Sequence, residues 1–257
     1  MNYGFMTAAS GALTQMARLD VLSNNLANAE TPGFKPLGLS IRARDAVRQE
    51  DGLGYVGSDR LLERLGAGVM PTPTAIGTGQ GGITETNNPL DVALEGEGYL
   101  MVRIDDPEQS IGLTRDGRLL TGPNGVLVHA ASGRPVLSPA QAPIELEPGL
   151  PVNVRDDGVI VQGGVAVAQL GVITIPEPHT MRAHGHGAHH PTPEQMEQAL
   201  PSAARVRGRA IEQSAVNPIS TMMSITRAGG SARSNLTVAS IIGSVMDVAI
   251  SQLGRVS

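Results

Sequence analysis

The sequence predicts an α+β protein in which a β-rich central domain of short antiparallel strands lies between α-helices at the two ends of the chain. Apolar residues recur at intervals of three and four near both ends, which is the spacing of one helix face. Turn dipeptides recur about every ten residues through the middle, as in compact antiparallel β-domains. The chain also contains 32 glycines and 18 prolines, an excess that favours a turn-rich middle.

The composition limits the class of protein. A chain of 257 residues with 40% hydrophobic content can bury a substantial core, and with 2% aromatic residues that core is expected to be aliphatic. The net charge of −5 argues against nucleic-acid binding, and the absence of cysteine excludes disulfides and thiolate metal sites. No apolar run of about 18 residues predicts a membrane helix, and no cleavable signal pattern is present, so any export is expected to use another route.

The first helix is predicted between residues 5 and 26. The helix is expected to end before Pro32, because a proline pushes the preceding residue, Thr31, into extended geometry. Its apolar stripe supplies the first candidate interface residues. They are Phe5, Ala9, Leu13, Met16, Leu22 and Leu26.

A tight turn is predicted directly after this helix. Pro32 and Gly33 match the second and third positions of a type II turn, and Phe34 offers an apolar anchor behind it. Three asparagines before the turn suit frayed, capping or left-handed positions. They are Asn24, Asn25 and Asn28.

The C-terminal end carries a wider apolar face, from about residue 237 to residue 253. A shorter helical segment precedes it at 219–225. Gly229 and Gly230 lie between the two, and each costs about 1 kcal/mol in a helix interior, so we expect the helix to be broken or flexible there. The candidate interface residues of this end are Val238, Ile241, Ile242, Val245, Val248 and Leu253.

The pattern leaves two interpretations of the terminal helices open. They could pack on the sheet of their own chain, as in an ordinary α+β domain. Alternatively, they could pair with each other and with copies of themselves as a coiled coil. The apolar repeats are too few to decide between these interpretations.

The middle of the chain is expected to form hairpins and turns. A hairpin is predicted for residues 90–94 and 99–102, joined by the turn 95–98. Other turns are predicted at Asp116-Gly117, Pro123-Asn124-Gly125 and Ser132-Gly133, with strands around 126–128, 135–137, 159–161 and 170–175. The predicted organisation is a discontinuous helical domain from 1–30 and 212–257, an extended Gly- and Pro-rich connector over 31–89, and a β-rich outer domain over 90–211.

Few residues indicate a catalytic or cofactor-binding site. Residues 77–82 have the glycine spacing of a dinucleotide loop, but no strand leads into them and no helix follows, which favours a flexible connector. Carboxylates are scattered beside turns, where they have structural reasons to occur. We therefore expect no enzymatic activity, no cofactor and no small-molecule substrate.

One histidine-rich run could bind a metal ion. It lies between Pro178 and Pro191 and is interrupted by glycines, so it is interpreted as a solvent-exposed polar loop without a functional metal. Adventitious or functional binding of Zn²⁺, Ni²⁺ or Cu²⁺ is the alternative. The residues concerned are His184, His186, His189 and His190.

Residues 23–35 closely resemble the N-terminal signature of bacterial flagellar axial proteins, the rod and hook family. Three further stretches resemble family motifs and occur in family order, at 90–99, 113–137 and 212–219. The length and the short β-region resemble the rod members of the FlgF and FlgG type more than the longer hook protein. Residues 230–235 depart from the family, since they lack the tyrosine of an Arg-Ala-Tyr-like patch.

The resemblance implies a structural subunit of the flagellar basal-body rod, the shaft that links motor to hook. The terminal helices would be poorly ordered in the monomer, pass through the flagellar export apparatus without a cleaved signal peptide, and pair on assembly in the wall of a hollow tube. The implied partners are copies of the chain in a helical filament and other rod and hook subunits, and the implied location is the periplasm-spanning rod. A hook or other axial component and a histidine-loop metal-binding protein are the alternatives.

Overall fold

The computed structural model describes residues 3–50, 65–104 and 110–253. Long helices form at both ends and short antiparallel strands between them, which confirms the predicted α+β class. The chain forms two compact units. The first takes its described residues from Met1–Leu26, Leu37–Thr74 and Pro218–Ser257, and the second from Ala27–Pro36 and Ala75–Asn217.

The two terminal helices, α1 and α4, dominate the first unit. Helix α1 spans Tyr3–Ala27 and α4 spans Pro218–Leu253. The short helix α2 spans Val47–Glu50. Strand β1, Leu37–Gly38, precedes β2, Ile41–Ala43, which pairs antiparallel with β3, Val69–Pro71. This strand pair contacts α1, because the backbone N–H of Val69 donates to Oγ of Ser10 at 3.3 Å.

Helix α4 corrects two expectations. It continues unbroken through Gly229 and Gly230, where a break was predicted. The neighbouring Ala228 and Ala232 are 3% and 6% exposed, and their burial in a continuous helix offsets the conformational cost of two glycines. Among the described residues α4 is also the one helix long and apolar enough to cross a membrane by length and composition alone, whereas the sequence predicted no such helix.

The described residues of the second unit form short strands, one short helix and two 3₁₀ turns. Helix α3 spans Pro193–Glu197 and begins with a capping box between Thr192 and Gln195. The 3₁₀ turns are Pro123–Gly125 and Pro178–Thr180. The strands are β4 (Ala75–Ile76), β5 (Ile83–Glu85), β6 (Val92–Glu95), β7 (Tyr99–Arg103), β8 (Ile111–Thr114), β9 (Leu119–Thr121), β10 (Leu127–His129), β11 (Val152–Val154), β12 (Val159–Gln162), β13 (Val165–Gln169), β14 (Val172–Thr174), β15 (Arg182–Gly185), β16 (Ala188–His190), β17 (Leu200–Pro201), β18 (Arg205–Gly208) and β19 (Ala210–Glu212).

These strands pair antiparallel in several small sheets. The largest has the order β15-β16-β8-β7-β14-β17, and a second has the order β11-β12-β13. Strand β6 pairs with β18, β5 with β19 and β9 with β10. The core between them is aliphatic, as predicted, and includes Leu94, Leu100, Leu119, Leu127, Ile160 and Val206.

The hairpin predicted for residues 90–102 is wrong. Strand β6 pairs with β18, whereas β7 pairs with β8 and β14 in a different sheet. Gly96 and Gly98 have φ values of 105° and 153°, and with them the turn carries the chain from one sheet to the other. The glycine-rich turn was predicted correctly, but its two strands do not pair with each other.

The histidine-rich run is also not a loop, because it forms the hairpin β15–β16 at the edge of the six-stranded sheet. His189 pairs with Leu113 of β8 and is 4% exposed. Its ring meets Tyr99 edge-on with centroids 6.5 Å apart, and neither ring nitrogen has a hydrogen-bond partner among the described residues. Burial, with a smaller contribution from Lys35, lowers the pKa of His189 from 6.5 to about 4.

We predict that the second unit loses stability in mild acid through His189. The pKa is lower in the folded state, so the contribution is intact above pH 6.5 and is lost as the pH falls through about 4. The full loss is about 3 kcal/mol. Urea unfolding followed by β-sheet circular dichroism between pH 7 and pH 4 measures it. His189→Phe should reduce the change of the free energy of unfolding with pH, whereas the exposed control His179→Gln should leave that change as it is. An equal pH dependence in both variants would contradict the assignment to His189.

Candidate assembly interface

Helices α1 and α4 pack together in the first unit through small residues. An added Cβ at Gly11 of α1 would lie 2.9 Å from Nδ2 of Asn235, so α4 approaches α1 closely at this point. The most buried alanines of both helices, each at most 8% exposed, are Ala8, Ala12, Ala228, Ala232 and Ala239. The contact between the N- and C-terminal helices therefore forms within one chain, and alanine and glycine contribute to it.

Apart from Ser224, Gly229 and Gly243, the less exposed positions of α4 follow a heptad-like spacing. They alternate in steps of four and three, which is the repeat of a coiled-coil seam. Of the seam positions the predicted interface included only Ile242, although the spacing of the small residues is visible in the sequence. The seam positions are Thr221, Ile225, Ala228, Ala232, Asn235, Ala239 and Ile242.

The large apolar residues predicted as the interface mostly face outward. On α1, Ala9, Leu22 and Leu26 are half-buried, and on α4 so is Ile242. The side chain of Leu253 lies outside the described residues. The remaining seven, here called the outer apolar residues, are between 44% and 67% exposed: Phe5, Leu13, Met16, Val238, Ile241, Val245 and Val248.

Asn25 holds the end of α1 in the first unit. Its side chain is 5% exposed, its Nδ2 donates to the carbonyl of Leu37, and its Oδ1 accepts the N–H of Leu37, both at 2.8 Å. The side-chain amide of Asn25 thus bonds to both the carbonyl and the N–H of Leu37, in the way that the backbone of a paired strand does. Asn24, in contrast, is exposed.

The turn that follows has the predicted form. The N–H of Phe34 donates to the carbonyl of Thr31 at 3.2 Å, and Gly33 has φ of 67°, as a type II turn requires. Asn28 accepts the N–H of Thr31 on its carbonyl and the hydroxyl of Thr31 on Oδ1, both at 3.2 Å. Pro32 and Phe34 are half-buried, and the carbonyl of Phe34 accepts the N–H of Ala215.

Behind this turn the second unit contains a buried cluster of three charges. Oε1 of Glu212 accepts from Nζ of Lys35 at 2.7 Å, and Oε2 accepts from Nη1 of Arg115 at 3.2 Å. The three side chains are 0%, 1% and 4% exposed. Burial lowers the pKa of Lys35, and Glu212 opposes that shift.

The glycine-rich segment 77–82 supports this charge cluster. Nζ of Lys35 donates to the carbonyl of Gly79 at 2.7 Å, and the N–H of Gly81 donates to Oε1 of Glu212 at 2.9 Å. A Cβ at Gly81 would lie 2.0 Å from the carbonyl oxygen of Gln213. Close backbone packing therefore accounts for a glycine at position 81.

Arg115 extends the charge cluster to the turn after β6. Its guanidinium donates to the carbonyls of Leu94 and Gly96 and lies over the ring of Tyr99, 5.4 Å from the centroid. Burial raises the pKa of the Tyr99 hydroxyl, and Arg115 opposes that shift. Residues from all four stretches that carry the family resemblance thus meet in one place.

The histidines do not converge on a metal site. The rings of His184 and His190 are 5.9 Å apart, His186 is exposed, and His189 is buried beside Tyr99. Among the described residues no group of three or more His, Asp or Glu side chains could hold a metal ion. Two imidazoles alone do not make the closed site that a structural metal needs.

We predict that Gly33→Ala destabilises the second unit more than Gly133→Ala. Both glycines have φ of 67°, so the left-handed backbone costs each alanine about 1–2 kcal/mol. Only at Gly33 would the new Cβ meet backbone, 2.4 Å from the carbonyl carbon of Arg115, whereas the space at Gly133 is open. We expect Gly33→Ala to cost at least about 2 kcal/mol more in urea unfolding. Equal losses would show that close approach is not the constraint.

We predict that Glu212→Gln costs about 3–5 kcal/mol in the free energy of unfolding, because it leaves two buried cations without their carboxylate. Glu85→Gln is the matched control, since the side chain of Glu85 is 79% exposed and pairs with Arg207 at the surface. The control should change stability by less than about 1 kcal/mol. Chemical denaturation of both variants checks the difference, and a loss below about 1 kcal/mol for Glu212→Gln would contradict the role of the charge cluster.

Comparison with known proteins identifies the family of this chain. The family model described as "Flagella basal body rod protein" matches residues 5–35, which include most of α1 and the turn after it. FlgF of Caulobacter vibrioides is 30% identical over 263 residues, with 100% of both chains covered, and FlgF of Mesorhizobium japonicum is 26% identical over 260 residues with the same coverage. FlgF of Salmonella typhimurium is 35% identical over 158 residues, 62% of this chain and 55% of that protein. The chain therefore belongs to the FlgF family of flagellar basal-body rod proteins.

Proposed function

We propose that this chain is a structural, non-enzymatic subunit of the flagellar rod and that it assembles through its terminal helices into the hollow shaft linking motor to hook. The observation that carries the proposal is the exposure of the outer apolar residues on two helices whose small residues face inward. An ordinary amphipathic helix places its largest apolar side chains toward its own core. Here those side chains are available to a neighbour.

Assembly would gain free energy by covering these side chains. Fully burying a Val, Leu, Ile, Phe or Met side chain stabilises by about 1.5–3 kcal/mol, so each half-exposed residue contributes roughly half of that. The seven outer apolar residues together would then supply enough to offset a substantial part of the cost of association. Membership in a rod family implies assembly with rod components, and we propose copies of this chain and other rod and hook subunits as the neighbours.

The packing between α1 and α4 also suits export before assembly. A contact made largely by small residues buries little apolar area, and most of the stability of a helix in a protein comes from such packing, so the helices should separate and unfold readily. We propose that the chain passes unfolded through the flagellar export apparatus, without a cleaved signal peptide, and becomes ordered in the periplasm-spanning rod.

We predict that Val245→Asp prevents incorporation into the rod without unfolding the free chain. Val245 is 63% exposed, so the charge is solvated in the monomer but would be buried against a neighbour, at a cost of several kcal/mol. Ser244→Asp is the matched control on the adjacent, polar side of α4. The measurement is mass spectrometry of hook–basal bodies from a strain of the source organism that carries each variant as its only copy of the gene.

The control should be incorporated at the level of the original chain and should support motility. Circular dichroism should show the same β-sheet signal for both variants. Val245→Asp protein found at the unmodified level in purified hook–basal bodies would contradict the proposed interface. Absence of the unmodified chain from these particles would contradict the proposed function itself.

A further inference from the structure

Half of the methionines of this chain lie at the surface of its two long helices. The sequence contains ten methionines, and nine of them lie among the described residues. Five of these side chains are between 43% and 57% exposed, and all five belong to α1 or α4. They are here called the surface methionines: Met6, Met16, Met222, Met223 and Met246.

The other described methionines are covered to a larger extent. Met101 of β7 and Met181 are 2% and 3% exposed, and Met70 of β3 and Met196 of α3 are half-buried. The methionine side chain is apolar, flexible and unbranched, so it commonly fills gaps in a core. On α1 and α4 the same side chain instead lies at the surface, where its sulfur is accessible to small solutes.

Methionine sulfur is the most readily oxidised group in this sequence. The chain contains no cysteine, whose thiolate would otherwise react first, and no tryptophan. Hydrogen peroxide or hypochlorous acid transfers one oxygen atom to Sδ, which loses two electrons and becomes a sulfoxide. Peroxide is thereby reduced to water, and hypochlorous acid to chloride with release of a proton. The reaction needs no catalytic residue, so the exposure of each sulfur decides which methionine reacts.

The surface methionines include positions on the faces proposed above for assembly. Met16 is one of the outer apolar residues, and Met6 precedes Leu13 by one heptad, so these side chains share one face of α1. On α4, Met223 precedes Ile241 by 18 residues, which is five full turns, so both side chains point in the same direction. Oxidation would therefore change the polarity of both faces.

We propose that oxidation of the surface methionines controls whether a free copy of this chain can enter the rod. The inference rests on the proposed assembly and adds its regulation by oxidants. A sulfoxide is polar and accepts hydrogen bonds, so burying it against an apolar neighbour without a donor is unfavourable. In the free chain the sulfoxide is solvated, and the second unit, whose described methionines are buried or half-buried, keeps its fold. An oxidised copy is therefore folded but excluded from assembly.

Incorporation protects the sulfurs from later oxidation. Neighbours that cover Met16 and Met223 exclude the oxidant, so a copy that is reduced when it assembles stays reduced. Methionine sulfoxide reductases convert the sulfoxide back to the thioether, so an excluded copy can become competent again. The surface methionines thus make the free chain responsive to oxidants, whereas the finished rod is not.

The first experiment maps the oxidation sites on the free chain. Purified full-length protein is treated with hydrogen peroxide at neutral pH, quenched with free methionine, digested and analysed by mass spectrometry. We expect sulfoxide to form at each surface methionine at least about ten times faster than at Met101 and Met181, because peroxide reaches the exposed sulfurs more easily. Equal rates at exposed and buried positions would overturn the assignment of these sites.

The second experiment measures whether a polar side chain at these sites prevents entry into the rod. Met16→Gln and Met223→Gln place a polar side chain of similar length where the sulfoxide would lie, whereas Met16→Leu and Met223→Leu stay apolar and cannot be oxidised. Ser240→Gln, at an exposed polar position of α4, is the matched control. Each variant is the only copy of the gene in the source organism, and mass spectrometry of hook–basal bodies gives the amount of incorporated chain.

We expect each of the two methionine-to-glutamine variants to be incorporated at least about tenfold less than the original chain, because burial of the amide is unfavourable. The two leucine variants and Ser240→Gln should be incorporated at the original level. Unchanged incorporation of both methionine-to-glutamine variants would overturn the proposal. An equal loss in the leucine variants would also overturn it, because the loss would then not depend on polarity.

The third experiment uses the unmodified chain. Cells of the source organism receive a pulse of hypochlorous acid during growth, and free copies and hook–basal-body copies are compared for sulfoxide at Met16 and Met223. We expect at least about tenfold less sulfoxide in the incorporated copies. Equal fractions in the two pools would overturn the proposal and leave the proposed function standing, whereas absence of the chain from particles of untreated cells would contradict the function itself.

Discussion

The second unit depends on one buried carboxylate. Glu212 balances Lys35 and Arg115, and its backbone carbonyl accepts the N–H of Gly33 at 2.7 Å. The ends of strands from distant parts of the chain are thereby tied to one side chain. A buried ion pair gives little net stability, but it strongly disfavours any arrangement in which a charge lacks its partner. The charge cluster is therefore better understood as a device that specifies how these segments meet than as a source of stability.

This role explains why the recognisable stretches of the sequence are separated by ordinary ones. Thr31 to Lys35 supply the turn and one cation, Arg115 the second cation, and Glu212 the anion, while the intervening strands supply aliphatic packing that many sequences can provide. Only glycine fits at position 33, where φ is positive and backbone lies 2.4 Å from the position of a Cβ. The family signature thus marks a packing constraint, and no catalytic chemistry is needed to explain it.

Features of the fold that depend on neighbouring residues alone could be predicted from the sequence. The helical ends, the Thr31–Phe34 turn and the aliphatic core were predicted from periodicity, proline and glycine geometry and composition. Strand pairing could not be predicted in the same way, since the partner of β6 is β18, more than a hundred residues away, and local turn chemistry favoured β7. Burial of His189 was missed for a related reason: a polar, glycine-containing run resembles a loop unless the sheet that covers it is known.

In the terminal helices the size of the apolar side chains, rather than their polarity, distinguishes the buried face from the exposed one. A hydrophobic stripe is usually assigned to the core, yet in the first unit alanine and glycine form much of the inward face, whereas the seven outer apolar residues remain exposed. Small residues allow two helices to approach closely but release little free energy, whereas large ones release more when covered. A chain that assembles in the way proposed above would benefit from this arrangement, because its helices would separate easily before assembly. Its larger apolar side chains would then be covered by neighbours, and only their contacts would stabilise the helix pair fully.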